Sequence, residues 1–533
     1  MSERTQVSRR TWMTSAAAAA GVLAVSSAAR AAGAGVATPV VQTSHGPVRG
    51  RVEDGVNAFR GIRYGAPPIG ALRFRPPQPP AKWSKVFEAD TFGAAAMQTP
   101  GADAPKTEEH SEDCLFLNVW SAGLDAKKRP VMVWLHGGGF WEGAAGRPTY
   151  YGDHFARDGV VLVSVNHRLN VFGFAQLPDS WGPAYKSSGL AGMLDIVLAL
   201  QWVKANIARF GGDPNNVTIF GESGGGAKVS LLLGMPPAKG LFHRAIIQSG
   251  AGLNAAPRDY AQTLGGALTD VLGVKAGDVA ALGAVDAKTI FDSQKAAVEK
   301  AKGAAKAGFL TDGFVPSIDG QALPRGPFTP GPQPWIADVP LLIGTNRDEM
   351  TLFLANAPAV INQTDAEFEK GVRDAAPAKA DQIIAVLRAA HPGATPGDLT
   401  IAFQTAKTFW IDSVTLAERK LSQPAPVWMY RMDWDKSPAL GGKLKAAHAM
   451  ELSFVFSTHD NIRFFVGPGD GPNRMAAQMH PAWVAFAKTG NPQTANLPNW
   501  PRYDTVRRQT MIFNLESKVE SDPQGDLRRL MGA

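Results

Sequence analysis

Six short and almost wholly apolar segments recur along this chain, and stretches with helical periodicity lie between them. A strand that is apolar on both faces has to be covered on both faces, which is typical of a parallel sheet between two layers of helices. The pattern therefore predicts an α/β protein with a mostly parallel central sheet flanked by helices. The six segments are 130–136 (PVMVWLH), 159–166 (GVVLVSVN), 216–220 (NVTIF), 244–250 (RAIIQSG), 339–346 (VPLLIGTN) and 426–432 (PVWMYRM).

The clearest helical segment is 189–210, which has helical periodicity and is followed by two glycines and a proline. Glycine and proline directly after a periodic run are typical of a helix end. Two alanine-rich stretches, at about 255–315 and 350–425, also have helical patterns, and no linker separates them from the rest of the chain. We therefore predict a single domain over residues 32–533, with these two stretches as helical insertions that build over the edge of the sheet.

The first 31 residues have the organisation of an export signal. Arg9 and Arg10 precede a weakly apolar, alanine-rich run at 16–29, and residues 29–31 offer a cleavage site of the small-x-small type. The run is too short and too weakly apolar for a membrane span, which needs about 20 strongly apolar residues. These features resemble a twin-arginine signal and predict a periplasmic or secreted protein. A basic tail without a targeting role is the alternative.

Composition excludes several classes of function. Hydrophobic residues make up 45% and charged residues 19% of the chain, as in ordinary globular proteins. The formal net charge is +7, but no basic run is interleaved with aromatic residues, so we expect no nucleic-acid partner. The ten histidines include no metal-ligand spacing, and Cys114 is the only cysteine, which excludes an intrachain disulfide. We therefore expect no metal and no cofactor.

Residues 221–225, Gly-Glu-Ser-Gly-Gly, match the G-x-S-x-G pattern, in which a serine occupies a sharp turn between a strand and a helix. The chain contains 56 glycines, so the pattern alone is weakly specific. Its surroundings are more specific, because a β-branched segment precedes it and small residues after it leave room for a helix packed closely on the sheet. Ser223 is therefore either a nucleophile or a solvated serine in a glycine-rich turn.

Acyl transfer by a serine needs a base beside the hydroxyl, an acid that orients the base, and donors for the developing oxyanion. The carboxyl ends of parallel strands gather at one edge of a sheet, and several loops predicted there carry suitable groups. Residues 136–140 (HGGGF) supply backbone N–H groups, an acid lies within 345–350, and a histidine lies beyond residue 430. The order nucleophile, acid, histidine is that of the α/β-hydrolase pattern.

With these segments together, the chain resembles the type-B carboxylesterase family, the group that includes bacterial para-nitrobenzyl esterases and the cholinesterases. The resemblance runs from about Thr43 to Asn514 and implies the α/β-hydrolase fold. It rests on six segments in the order of the family: 59–80 (FRGIRYGAPPIGALRFRPPQPP), 111–120 (SEDCLFLNVW), 133–143 (VWLHGGGFWEG), 210–223 (FGGDPNNVTIFGES), 339–349 (VPLLIGTNRDE) and 483–492 (WVAFAKTGNP).

The resemblance implies a role for individual residues. It makes Ser223 the nucleophile, Glu349 the acid and His448 the base. The oxyanion donors of the family fall on three backbone amides, those of Gly138, Gly139 and Gly224.

Two of these assignments have a nearby rival. His448 follows the last predicted strand after a short loop, whereas His459 comes after a further apolar stretch, and the hydrolase pattern favours the former. Asp348 precedes Glu349, and the family points to the glutamate, whose longer side chain reaches Nδ1 of the histidine.

The chain departs from the family at several positions. Gly224 replaces the usual alanine after the serine, and Met350 and Ala449 replace the usual glycines after the acid and the base. Residues 166–170 (NHRLN) replace the usual Asn-Tyr-Arg-Leu-Gly. Gly224 keeps its amide but is expected to hold it less firmly, and the two added side chains are expected to change local backbone angles or the gorge lining. No departure removes a chemical group from the mechanism.

Four further residues are candidates for roles around the site. Trp141, Phe172 and Phe174 are candidates for an acyl or alcohol pocket, although aromatic residues near a sheet edge are as often part of the core. Glu222 is expected to be a buried, hydrogen-bonded support for the site, and a direct catalytic role is the alternative.

The resemblance implies a serine carboxylesterase that hydrolyses small-molecule carboxylic esters through an acyl-enzyme. The same groups serve equally for carbamates, for amides, or for acyl transfer to an alcohol. A remote alternative is a non-catalytic, cholinesterase-like binding protein, and retention of the serine, acid and histidine argues against it. The sequence leaves the natural ester and the oligomeric state open.

Overall fold

The computed structural model describes residues 35–101, 104–301 and 313–532. The predicted export signal, 1–31, lies outside the described residues, as do residues 302–312 of the first predicted insertion.

Seventeen strands occur within the described residues, and twelve of them form one sheet. They are β1 (Val36–Ala37), β2 (Val41–Gln42), β3 (Pro47–Arg49), β4 (Arg51–Glu53), β5 (Val56–Arg63), β6 (Phe87–Glu88), β7 (Ala95–Ala96), β8 (His110–Ser111), β9 (Phe116–Ser121), β10 (Arg129–Leu135), β11 (Val161–Val165), β12 (Gly212–Glu222), β13 (Arg244–Gln248), β14 (Leu341–Asn346), β15 (Val427–Met432), β16 (Gln509–Phe513) and β17 (Lys518–Ser521).

The large sheet has the strand order β1-β4-β5-β9-β11-β10-β12-β13-β14-β15-β16-β17. The strands from β11 to β16 in this order pair in parallel, and the pairs outside them are antiparallel. Each of the six predicted strand segments is one of the parallel strands β10 to β15, so the prediction of a mostly parallel sheet is confirmed. The other strands were not predicted, because they are short or contain polar residues.

Strand β10 shows why the central segments are apolar throughout. Val131, Val133 and Leu135 pack into one hydrophobic core, whereas Met132 and Trp134 pack into a second core. Successive side chains of a strand point to opposite faces, so the two cores cover the two faces of the sheet. All five side chains are fully buried, and each contributes roughly 1.5–3 kcal/mol to folding through its burial.

Helices cover both faces of the sheet and build the two predicted insertions. The α-helices are Asp153–Arg157, Asn170–Phe174, Ala191–Asn206, Gly224–Gly234, Arg258–Val271, Val279–Ala284, Ala287–Lys300, Thr351–Leu354, Pro358–Ile361, Asp365–Ala375, Ala380–Ala390, Pro396–Thr405, Ile411–Lys420, Leu452–Val455, Arg463–Val466, Gly471–Thr489 and Gly525–Met531. The 3₁₀ turns are Gly70–Leu72, Pro148–Tyr150, Asp179–Trp181, Pro183–Tyr185, Ser188–Leu190, Ile207–Phe210, Pro236–Ala238, Pro334–Ile336, Ala439–Gly442 and His459–Ile462, and Ala406–Trp410 is a π-helical turn.

The segment predicted as the clearest helix forms Ala191–Asn206, followed by a 3₁₀ turn that ends at Gly211 with φ 81°. Within the part of the chain that the structure describes, the stretch Pro183–Phe210 is long and apolar enough to cross a membrane. Its most apolar window is 72% buried inside the protein. The apolar surface of this helix is therefore used for core packing.

The second insertion has a small core of its own. The helices Asp365–Ala375, Ala380–Ala390 and Pro396–Thr405 bury a separate apolar cluster between them. The first and third begin with capping boxes at Thr364 and Thr395, in which the side chain and backbone of the cap exchange hydrogen bonds with the third helical residue. The capping boxes satisfy backbone N–H groups at the helix ends, and together with the separate core they support these short helices.

Candidate active site

Four central strands end at the same edge of the sheet, so the residues that follow them lie close together. In the parallel register, Leu135 at the end of β10 lies beside Gly221 near the end of β12, and Gln248 at the end of β13 lies beside Gly344 on β14. The carboxyl ends of β10, β12, β13 and β14 therefore meet. The residues that follow them include the HGGGF segment, Ser223 and Glu349.

Ser223 occupies a sharp turn between β12 and the helix Gly224–Gly234. Its φ of 55° and ψ of −123° lie in a region that side chains rarely adopt, at a cost of about 1–3 kcal/mol. The turn is held because the Ser223 amide donates to the carbonyl of Gln248 at 2.9 Å and its carbonyl accepts from the amide of Ala227 at 3.0 Å. A side chain at Gly225 would overlap the carbonyl of Leu135, so glycine permits this close packing of helix on strand.

Glu349 and His448 form a buried pair. Nδ1 of His448 lies 2.5 Å from Oε2 of Glu349. The other carboxylate oxygen, Oε1, accepts from Oγ of Ser249 at 2.6 Å and from the amide of Asn346 at 2.7 Å. The carboxylate is therefore fixed on both sides. Its contact with Nδ1 orients the imidazole and leaves Nε2 as the ring nitrogen that could accept a proton.

Nε2 of His448 faces Glu222. Oε1 of Glu222 lies 3.1 Å from Nε2 without the alignment of a hydrogen bond. Within residues 35–101, 104–301 and 313–532, no hydrogen bond joins the hydroxyl of Ser223 to His448. Catalytic hydrogen bonds often tighten only when substrate binds, so this geometry is compatible with a serine–histidine pair. Glu222 is buried as predicted, but its carboxylate makes no hydrogen bond within the described residues, and it contacts the imidazole directly.

The two rival residues have other partners. Nε2 of His459 lies 2.9 Å from Oδ1 of Asn473. The carboxylate of Asp348 accepts from Nε of Arg347 at 2.9 Å and from the amide of Ala446 at 3.2 Å. Both residues therefore take part in local structural contacts, and the geometry favours His448 and Glu349.

A third buried glutamate, Glu451, lies near the pair and was missed by the sequence analysis. Glu451 accepts from the amide nitrogens of Gln248 at 3.1 Å and of Asn346 at 2.6 Å. A glutamate three residues after the proposed base, beside the apolar residues of the next helix, was the available signal. Glu222 and Glu349 thus contact the imidazole of His448. Glu451 is linked to Glu349 through Asn346, which donates to both.

Burial and charge alter the pKa values in this cluster. Burial raises the pKa of Glu222 to about 8 and that of Glu451 to about 7. Burial by itself lowers the pKa of His448, but the carboxylates of Glu222 and Glu349 outweigh this effect and raise the pKa to about 9. The imidazole therefore retains its proton to a higher pH than a free histidine.

The segment 136–140, here called the oxyanion loop, lies directly beside Ser223. Gly138 has a φ of 83° and Gly139 a φ of 62°, which favour glycine. Among the described residues, no protein acceptor engages the amides of Gly138, Gly139 or Gly224. Unengaged N–H groups beside a nucleophile are the requirement for stabilising an oxyanion.

A lysine that the sequence analysis missed holds this loop. Lys228 is fully buried on the helix Gly224–Gly234, and its Nζ donates to the carbonyls of His136 and Gly139, each at 3.0 Å. Burial lowers the pKa of Lys228 to about 7, against the opposing effect of Glu222. A lysine among small and apolar residues directly after the serine motif was the signal for it.

The comparison with known protein families is decisive for the class of protein. The model of the Carboxylesterase family matches residues 37–526. This chain belongs to the carboxylesterase family.

Individual carboxylesterases are similar over nearly the whole chain. The para-nitrobenzyl esterase of Bacillus subtilis (strain 168) is 38% identical over 499 residues, which cover 92% of this chain and 98% of that esterase. The phenmedipham hydrolase of Pseudarthrobacter oxydans is 33% identical over 493 residues, covering 88% and 93% of the two chains. A solved carboxylesterase from Geobacillus stearothermophilus has a TM-score of 0.81 at 38% identity and covers 92% of this chain and 100% of its own.

The predicted fold and reaction class are thereby confirmed. The chain has the α/β-hydrolase fold and is a serine hydrolase of small-molecule carboxylic esters. Within the described residues, no group of three or more histidine, cysteine, aspartate or glutamate side chains is arranged to hold a metal ion.

The departures from the carboxylesterase pattern now have a structural description. Ala449, at a usual glycine position, has a φ of 61°, a left-handed conformation that costs roughly 1–2 kcal/mol for a residue with a side chain. Asn170, also at a glycine position, has a φ of 47°, and asparagine tolerates this region well. Met350 has ordinary helical angles, and its side chain fills an apolar cluster with Phe409.

The predicted pocket aromatics lie in different environments. Phe172 and Phe174 are buried, the former stacked on Phe74 and the latter edge-on to Phe140. Trp141 is 37% exposed. Their assignment to the pocket stays a prediction.

Two aromatic rings that the sequence analysis missed contact the imidazole of His448. The ring centroids of Phe353 and Phe409 lie 5.2 Å and 4.8 Å from that of the imidazole. Phe409 belongs to the π-helical turn of the second insertion. No local pattern marked these residues, because only tertiary packing brings the insertion into contact with His448.

Proposed function

We propose that Ser223 is the nucleophile of this carboxylesterase, His448 its general base and Glu349 the acid that orients the base. The observation that carries this proposal is the pair of Nδ1 of His448 and Oε2 of Glu349 at 2.5 Å, together with the strained strand-to-helix turn at Ser223. Both members are buried, so the pair is shielded from water.

The cycle has two steps of the same kind. His448 takes the hydroxyl proton of Ser223 while the serine oxygen attacks the ester carbonyl carbon, and the carbonyl oxygen becomes an oxyanion. The amides of Gly138, Gly139 and Gly224 donate to this oxyanion. When it collapses, His448 gives the proton to the departing alcohol and leaves an acyl-serine. Water then repeats the attack with His448 as base, and collapse releases the carboxylic acid and restores the serine.

Glu222 is proposed to set the pH dependence. The free base form of His448 is needed for attack, and nearby carboxylates raise the pKa of His448 to about 9. Ester hydrolysis should therefore be slow at acid pH and rise through the alkaline range. Glu222→Gln removes the carboxylate charge at almost constant volume, so the rise in kcat/KM should move to lower pH by about one unit.

The measurement is kcat/KM against pH for wild type and Glu222→Gln, with Glu108→Gln as a control in a partly buried ion pair with Arg147. An unchanged profile in Glu222→Gln, or a shift to higher pH, contradicts the role proposed for Glu222.

Carboxylic esters are the proposed natural substrate class, and carbamates, amides and acyl transfer remain the alternatives. The relatives are named for different substrates, as a para-nitrobenzyl esterase and a phenmedipham hydrolase. Their names therefore do not define the acyl or alcohol group of the natural substrate. The test is a panel of para-nitrophenyl esters of increasing acyl length, with aryl carbamates, anilides and phenmedipham. We expect kcat/KM for the best ester to exceed that for the matched anilide by at least about 100-fold, because an amine is the poorer leaving group. A carbamate or anilide turned over faster than every ester contradicts the proposal.

Export to the periplasm or outside the cell by a twin-arginine route is also proposed, with cleavage near Ala31. The support is the order of Arg9, Arg10 and a weakly apolar run in the sequence. Arg9→Lys with Arg10→Lys should leave the full-length precursor in the cytoplasm, since the paired arginines are the feature that such a signal presents. Cell fractionation with mass spectrometry of the N-terminus measures this. Normal cleavage and export of the double variant contradicts the route, and Arg30→Lys is the matched control.

A further inference from the structure

Lys228 carries a buried amino group that takes no part in the proposed reaction cycle. It lies five residues after Ser223 on the helix that begins at Gly224, and none of its side chain is exposed. Nζ donates to the carbonyls of His136 and Gly139 and lies 5.6 Å from the ring centroid of Phe140. Burial of an amine is unfavourable unless its N–H groups are satisfied, and here two backbone carbonyls of one loop satisfy them.

The two carbonyls that accept from Lys228 lie on either side, along the chain, of the proposed oxyanion donors of the loop. Each planar peptide unit carries the carbonyl of one residue and the amide of the next. The units fixed by Lys228 join His136 to Gly137 and Gly139 to Phe140. The two units between them carry the amides of Gly138 and Gly139. Glycine imposes little conformational restriction of its own, so both amides depend on outside contacts for their direction.

Gly224 is linked to the same carbonyl. A side chain at position 224 would overlap the carbonyl oxygen of Gly139, which is one of the two acceptors of Lys228. The contact with Lys228 therefore keeps the Gly139 carbonyl in the space that the usual alanine of the family would need. An alanine at position 224 would therefore require this carbonyl to move from the place where it accepts from Lys228.

We infer that Lys228 is a positioning residue that fixes the oxyanion loop to the helix of the nucleophile, and that glycine at 224 is required because of this contact. The inference rests on the proposed function, since it concerns the same oxyanion. A neutral amine has two N–H groups and an ammonium has three, so both hydrogen bonds form in either protonation state.

The first test is Lys228→Met, which keeps the length of the side chain and removes its donors. We expect kcat, per site titrated by an acylation burst, to fall about 100-fold, because small misplacement of transition-state contacts has effects of this size. KM should change less than about threefold, since the oxyanion contacts act mainly in the transition state. Lys420→Met is the matched control, because Lys420 is also fully buried and its Nζ has no hydrogen-bond partner among the described residues.

A trifluoromethyl ketone gives a second readout. The Ser223 oxygen adds to the ketone carbon, His448 takes the hydroxyl proton, and the ketone oxygen becomes an oxyanion that the loop amides bind. Lys228→Met should weaken this adduct by about the same factor as kcat, and Lys420→Met should leave it unchanged. A loss of thermal stability in Lys228→Met with unchanged kcat and unchanged adduct affinity would reduce Lys228 to a structural residue and overturn the inference.

The second test is a double-mutant cycle with Gly224→Ala. The added methyl group should lower kcat about tenfold or more when Lys228 holds the Gly139 carbonyl in place, and much less once Lys228→Met has released it. If the fold-losses of kcat in the two single variants simply multiply in the double variant, the two residues act independently and the proposed link between them is wrong. If Lys228→Met does not fold, Gly224→Ala and Lys228→Gln, which retains an N–H donor, still decide the question: wild-type kcat in both overturns the inference.

Failure of the inference differs from failure of the proposed function. If Ser223→Ala keeps the ester hydrolysis of the wild type, the proposed function is wrong. If Ser223→Ala is inactive while Lys228→Met and Gly224→Ala have wild-type kcat, only the inference is wrong.

Discussion

Replacement of Ser223 by alanine is expected to lower kcat/KM for ester hydrolysis by about 10⁴- to 10⁶-fold, because no other group is proposed to form the acyl intermediate. The fold should be unaffected. Alanine is no more strained than serine at the φ of 55°, and the hydroxyl of Ser223 makes no hydrogen bond within the described residues. Hydrolysis of a para-nitrophenyl ester, circular dichroism and thermal unfolding of purified protein measure the two effects.

Ser230→Ala is the matched control for this variant. Ser230 is a buried serine on the same helix, and its hydroxyl donates to the carbonyl of Gly226 at 3.1 Å. Its loss should reduce stability by about 1 kcal/mol and leave kcat nearly unchanged. More than about a tenth of wild-type activity in Ser223→Ala would refute the assignment of the nucleophile, since triad serines do not tolerate this change.

The second large effect separates the two late histidines. His448→Ala should lower kcat about 10⁴- to 10⁶-fold, because the serine then has no base. His459→Ala should mainly reduce stability, by about 1 kcal/mol, through loss of the contact with Asn473. Steady-state kinetics beside thermal unfolding distinguish these outcomes. Loss of turnover in His459→Ala with full turnover in His448→Ala would show that the base is misassigned even with Ser223 established.

The acids are separated in the same way. Glu349→Ala should reduce kcat strongly, but less than His448→Ala, since an unoriented imidazole remains a base. Glu349→Gln is the cleaner variant, because it keeps the volume beside Ser249 and Asn346, and we expect a loss of about 10²- to 10⁴-fold. Asp348→Ala removes contacts with Arg347 and Ala446 and should affect stability or substrate preference. Comparable losses of kcat in Asp348→Ala and Glu349→Gln would contradict the assignment of the acid.

The predicted fold class depended on features that are local in sequence. The segments that became β10 to β15 are apolar on both faces, and this pattern is visible within five to eight residues. The strands β1 to β9 and β16 to β17 were missed, apart from the family resemblance. Most of them have only two to four residues, and the longer strands β5, β9 and β16 contain polar residues that interrupt the apolar pattern. The export signal and the domain limits stay predictions.

The sequence predicted those site residues that belong to a local motif or a family motif, and it missed others. Ser223 stands in a local motif, and Glu349 and His448 follow from the resemblance to the carboxylesterase family. Glu451 and Lys228 lay within six residues of predicted site residues and carried weak signals. Phe353 and Phe409 had no signal of their own, because the insertion that holds them reaches His448 only after folding.

By itself, the sequence determined the alternation of apolar strands and helices, the position of the serine turn and the family. These depend on periodicity and on motifs whose residues are adjacent in the chain. Only the tertiary structure decided that His448 faces Glu222 as well as Glu349, and that Asn346 donates to both Glu349 and Glu451. It also decided that Lys228 holds the carbonyls of His136 and Gly139. Such contacts join residues up to 226 positions apart, as between Glu222 and His448 at 3.1 Å, and their distances and burial arise only when the parallel strands align their carboxyl ends.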